Sequence, residues 1–137
     1  MKRTLVLLAA WALCMAAGAV EAQPDKAPTI KDIMGKANKP TGLYYNLAAE
    51  LKTNDPQWAE MQPQAKELAK LAAALGKNPP PKGEKDSWEK LTKEYATNAA
   101  ALEKAVAAKD QTAAKTALGK MGGDACNNCH TAHRKKD

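Results

Sequence analysis

Residues 126–130 read Cys-Asn-Asn-Cys-His, and this spacing restricts what the chain can become. On a helix, positions i, i+3 and i+4 share one face. Cys126, Cys129 and His130 then aim two thiols and an imidazole at one flat object. Two cysteines three apart, followed at once by histidine, are the attachment pattern of a c-type haem. The thiols bond to the two vinyl groups of the porphyrin, and His130 reaches the iron as proximal ligand. The expected cofactor is one covalently bound haem c.

Two other chemistries use the same residue types. A disulfide or a redox-active pair of the thioredoxin kind normally opens a helix after a strand, and the chain shows no strand pattern. A zinc site can be written from Cys126, Cys129, His130 and His133. All four lie within eight residues, whereas structural zinc sites join two separated ligand pairs.

The N-terminus supports the haem reading. Met1-Lys2-Arg3 is a basic start, Leu5 to Ala17 an apolar run, and Val20-Glu21-Ala22 places small residues where a signal peptidase reads. Residues 1–22 are expected to be a cleaved secretory signal peptide, too short to remain as a membrane span. Residues 23–137 form the mature domain, expected in the periplasm and not embedded in a membrane. Cys14 leaves with the signal and is not preceded by a lipoprotein processing pattern, so both remaining cysteines belong to the motif. Haem attachment of this kind follows export.

The chain has no Phe and is rich in Ala, Leu and Lys, a composition that favours helices. Its formal charge of +6 comes from bases interspersed with acids along helical stretches. Only Arg134, Lys135 and Lys136 cluster, either to meet an acidic redox partner or as a solvated tail, and no nucleic-acid partner is expected. Apolar residues at three- and four-residue steps predict four helices. The first spans 29–54, with Thr29 as N-cap and a kink or break at Pro40 and Gly42. The second starts at Asp55-Pro56, contains Pro63 and closes at Gly76. A stiff loop with Pro79, Pro80 and Pro81 follows. The third spans about 87–108 behind a capping box of Asp86 and Glu89. Asp110 caps the fourth, which carries the haem motif. Gly122-Gly123 in it reads equally as a close approach to the ring or as a weak break. The fold class is all-α, an antiparallel four-helix bundle with covalently attached haem. Trp58, Trp88, Tyr44, Tyr45 and Tyr95 read as core packing.

The mature chain resembles the class II cytochromes c, the cytochrome c′ and cytochrome c-556 family. The resemblance rests on four helices behind a signal peptide and on Cys-x-x-Cys-His near the C-terminus. Asp86-Ser87-Trp88 and the run Cys129-His130-Thr131-Ala132-His133-Arg134 are similar to family positions. It implies that Arg134 lies near the proximal haem face. It also divides the functional expectation by what fills the sixth position on the iron. A methionine there implies a low-spin electron carrier, for which Met34 is the candidate distal ligand. Counting back four from Gly35, as the family register does, gives Lys31 instead. An empty position implies a five-coordinate protein that binds nitric oxide or carbon monoxide. His133 cannot reach the opposite haem face and is expected at the surface or beside a propionate. The leading expectation is a periplasmic monohaem electron carrier, not an enzyme, with transient redox protein partners. A homodimer is compatible with the resemblance.

Acid–acetone extraction should leave the haem on the protein. The mass should equal the chain from Gln23 plus one haem, and haem that extracts freely would refute the thioether reading.

Overall fold

The computed structural model describes residues 27–135. The expected signal peptide, and Lys136 of the basic tail, lie outside the described residues. Six helices and no strands are present among them: α1 (Ile30–Ala37), α2 (Leu43–Glu50), α3 (Trp58–Leu75), α4 (Lys85–Ala107), α5 (Gln111–Met121) and α6 (Asp124–His133). They make four rods, because the first and last expected helices are each broken in two.

The first break follows from Pro40, which has no amide hydrogen and disfavours the α conformation in the residue before it. α1 therefore stops at Ala37, and Asn38 leaves the helix with φ −120°. The second break falls at Gly122-Gly123, resolving the two sequence readings together. Gly122 does allow a close approach, but by a protein side chain. A Cβ there would collide with the Tyr44 hydroxyl from α2, so the two broken rods touch where each is interrupted.

Hydrogen bonds at the two ends of the bundle establish its antiparallel order. At one end, Asn78 after α3 donates to the Pro28 carbonyl before α1 at 3.2 Å. Trp88 Nε1 at the start of α4 donates to the Asn78 carbonyl at 2.7 Å. At the other end, Gln111 Nε2 at the start of α5 donates to the Leu51 and Thr53 carbonyls after α2, at 2.9 and 2.8 Å. Each rod thus begins where its neighbour finishes. α3, α4 and α5 pack along their lengths, and α1 and α2 lie on α3.

The core runs through the middle of the rods. Ile33, Leu47, Leu51, Met61, Leu68, Leu102, Val106 and Met121 are all buried, each contributing about 1.5–3 kcal/mol relative to exposure. Ala37, Ala65, Ala72, Ala99 and Ala114 fill the gaps between them, letting the backbones approach.

Helix ends match expectation in part. Thr29 and Asp32 form a capping box, which holds the exposed Asp32 carboxyl below its usual range, chiefly through the Thr29 hydroxyl. Asp110 accepts from Ala113 N–H at 2.9 Å. The Asp86–Glu89 box does not form. α4 starts earlier, at Lys85 behind Glu84, so Asp86 is already inside its first turn and Glu89 pairs with Lys85 at 3.3 Å. Asp55 does not cap α3 either, because Trp58 N–H is taken by the Pro56 carbonyl at 2.9 Å in a preceding turn. The helix starts two residues later than expected.

His133 corrects the sequence reading most clearly. It is buried, 1% exposed, rather than at the surface. Its Nδ1 donates to the Lys82 carbonyl at 2.8 Å and its Nε2 accepts from the Ser87 hydroxyl at 3.1 Å. Trp88 packs edge-on against the ring with centroids 5.3 Å apart. Gly83 makes room for this clamp with φ +78°, where a Cβ would also strike the Ala132 carbonyl.

Gly122→Ala should lower stability by about 1–3 kcal/mol, the usual cost of overpacking. Adding Tyr44→Phe should recover part of that loss, which denaturation midpoints of the single and double variants will measure.

Candidate functional site

α6 realises the spacing argument locally. As a regular helix over Asp124–His133, it carries Cys126, Cys129 and His130 on one face. All three line one cavity of about 460 Å³. Other lining residues come from distant parts of the chain: Met34 of α1, Leu75 of α3, and Leu91, Thr92 and Tyr95 of α4. Lys120 and Met121 close it from α5. Five of the six helices meet there, although the residues span almost the whole described chain.

Both cysteines are half-buried free thiols. Burial pushes each thiol above its ordinary value, and for Cys129 the neighbouring Cys126 adds to the effect. Cys126 Sγ also donates to the Met121 carbonyl at 3.3 Å. The donor set suits a flat, largely apolar group carrying a metal. It offers two thiols for covalent attachment and an imidazole on one helix, a thioether on another, and aliphatic and aromatic walls between. Cys126, Cys129 and His130 are the residues able to hold a haem there, with Met34 of α1 in the same lining.

The zinc arrangement is not formed. Both ring nitrogens of His133 are engaged by Lys82 and Ser87, which removes the fourth ligand. Among the described residues no cluster of three or more His, Cys, Asp or Glu could hold a metal ion.

The other sequence candidates fall outside the cavity lining. Lys31 is exposed on α1 and does not line it. Arg134 is the exposed C-cap residue of α6, with its backbone N–H on the His130 carbonyl at 3.0 Å. It is thus tied through the backbone to the turn that carries the imidazole.

Sequence reasoning missed two polar residues beside Met34. Tyr95, taken as core packing, lines the cavity and donates its hydroxyl to Asn38 Oδ1 at 3.1 Å. Asn38 Nδ2 in turn donates to Met34 Sδ at 3.3 Å. The four-residue step from Met34 to Asn38 was visible as a shared helix face. The Tyr95 contact crosses 57 positions and had no local signal. Burial pushes the Tyr95 phenol up to about 12, against the opposing pull of its Asn38 bond and with further upward pushes from Cys126, Tyr44 and Cys129.

A helical bundle whose last helix turns Cys-x-x-Cys-His into a shared cavity has the arrangement that covalent haem attachment requires. The cytochrome C′ family model matches residues 83–134, from the end of the proline loop through α4, α5 and α6. This match supports a class II cytochrome c, a family that implies haem. No curated protein and no solved structure matches the chain. No helix among the described residues is long and apolar enough to cross a membrane.

The raised Tyr95 value carries a pH consequence. Below the ordinary value of 10.0 the phenol is protonated in folded and unfolded chains alike, so stability is unaffected. Above it the unfolded chain releases the proton while the fold retains it, so stability falls as pH rises towards about 12. The loss should approach about 3 kcal/mol at the upper end. Tyr95→Phe should flatten that part of the profile, measured as denaturation midpoints from about pH 9 to 12.

Proposed function

We propose that this chain is an exported, monohaem electron carrier that works in the periplasm. Cys126 and Cys129 form the thioether links, His130 is the proximal iron ligand and Met34 the distal one. The observation that carries this reading is that Met34 and His130, from the first and last rods, line the same cavity with both cysteines. The exposure of Lys31 away from that lining favours the methionine over the lysine register.

Haem bound there supplies a one-electron couple. The chain's residues keep it placed and largely dry. Leu75, Leu91 and Met121 form the apolar part of the lining, which favours the less charged, reduced state. A neutral sulfur ligand acts in the same direction. Arg134, one turn beyond the motif on the His130 carbonyl, places a permanent positive charge near the proximal side. No substrate bond is made or broken in this role. Contacts with redox partners are transient.

Met34→Ala should open the sixth position. It should turn a low-spin spectrum high-spin, lower the reduction potential and permit carbon monoxide binding to the reduced form. Lys31→Ala should do none of these. A wild-type spectrum that is already high-spin would instead put the five-coordinate, gas-binding reading first.

A further inference from the structure

Met34 is held in the cavity wall by a specific neighbour. Its sulfur accepts from Asn38 Nδ2 at 3.3 Å, and Asn38 Oδ1 accepts from the Tyr95 hydroxyl at 3.1 Å. A thioether sulfur has no hydrogen to donate. Only one orientation of the Asn38 amide therefore makes both bonds: nitrogen towards Met34, oxygen towards Tyr95, with the phenol as donor. The flipped amide would set its oxygen lone pairs against those of the sulfur.

Asn38 is itself fixed in place. It is the C-cap residue of α1, and its backbone N–H donates to the Met34 carbonyl at 3.0 Å. Main chain and side chain thus grip the same methionine from four residues away. Pro40 ends the helix just beyond. Tyr95 arrives from α4, on a different wall of the cavity, so the chain of bonds ties α1 to α4 through the sulfur's neighbour.

We propose that Asn38, oriented by Tyr95, is a positioning residue for the Met34 thioether, occupying one of the sulfur's two lone pairs and leaving the other for a haem iron. The proposal rests on the reading of Met34 as distal ligand. Methionine has three rotatable side-chain bonds and adopts many conformers. A donor anchored at the sulfur removes most of them before any metal is met, which strengthens ligation by preorganisation. The same bond draws electron density from the sulfur. It makes the thioether a poorer donor to the oxidised iron and so raises the reduction potential.

Carbon monoxide is the probe, since it competes with the thioether for the sixth position of reduced holoprotein. Its apparent affinity scales with the fraction of protein in which the sulfur has let go. Asn38→Leu should tighten carbon monoxide binding about fivefold to tenfold, the equivalent of one ordinary hydrogen bond. Tyr95→Phe, which leaves Asn38 and the helix cap in place, should move it the same way by less. Both variants should lower the reduction potential and split or broaden the methyl resonance of the bound methionine in nuclear magnetic resonance spectra. In a Met34→Ala background, adding Asn38→Leu should change carbon monoxide affinity by less than about twofold, because no sulfur remains to be positioned. Equal changes in both backgrounds would overturn the proposal, showing that Asn38 acts on the pocket and not on the thioether. So would an unchanged affinity in Asn38→Leu where Met34→Ala opens the site, a result that leaves Met34 as ligand. If Met34→Ala leaves the wild-type spectrum as it was, the ligand assignment fails and the positioning role fails with it.

Discussion

Two of the four rods are interrupted, and the interruptions meet. Pro40 stops α1, Gly122-Gly123 stops α5, and Tyr44 from the restarted first rod fills the space that a Cβ on Gly122 would need. A proline and a missing side chain thus decide where the bundle departs from straight packing. The cavity draws on both interrupted rods, with Met34 of α1 before the first break and Cys126, Cys129 and His130 of α6 after the second in its lining. Packing density elsewhere is maintained by leucines interleaved with alanines.

Charge and hydrogen bonding at the site follow from burial. The thiols are pushed towards their neutral form, and so is the Tyr95 phenol. A neutral phenol is also the form that can donate to Asn38. Burial of Tyr95 therefore extends to higher pH the range over which the phenol donates to Asn38. The Asn38 bond gives the buried hydroxyl a partner, whereas an unpartnered one would be a liability.

Local chemistry was legible in the sequence, and contacts between distant segments were not. The Cys126, Cys129 and His130 face follows from helical period alone. The Thr29 and Asp110 caps follow from short side chains that reach amides three residues on. Pro40 announces its break by lacking an amide hydrogen. The errors are of two kinds. Asp86 and Asp55 have the right side chains for capping, but α4 begins at Lys85, ahead of Asp86, and a local turn onto the Pro56 carbonyl takes the Trp58 N–H. His133 was expected at the surface or beside a propionate, because nothing nearby in sequence reveals that Lys82 and Ser87 wait for it across the bundle. Asn38 and Tyr95 escaped notice for the same reason. Their bond exists only once α1 and α4 are side by side.

The clamp on His133 changes how the motif helix moves. A helix of ten residues would ordinarily fray at its ends, opening and closing on fast timescales. Here the final residue of α6 is gripped by a loop stiffened with three prolines and by the first turn of α4. The motif helix is restrained at its far end as well as where it leaves α5. Amide protons of its last turn should then exchange with solvent at rates set by larger openings of the bundle and not by end fraying. The side chains that this helix presents to the cavity are thereby held in a fixed relation to α4.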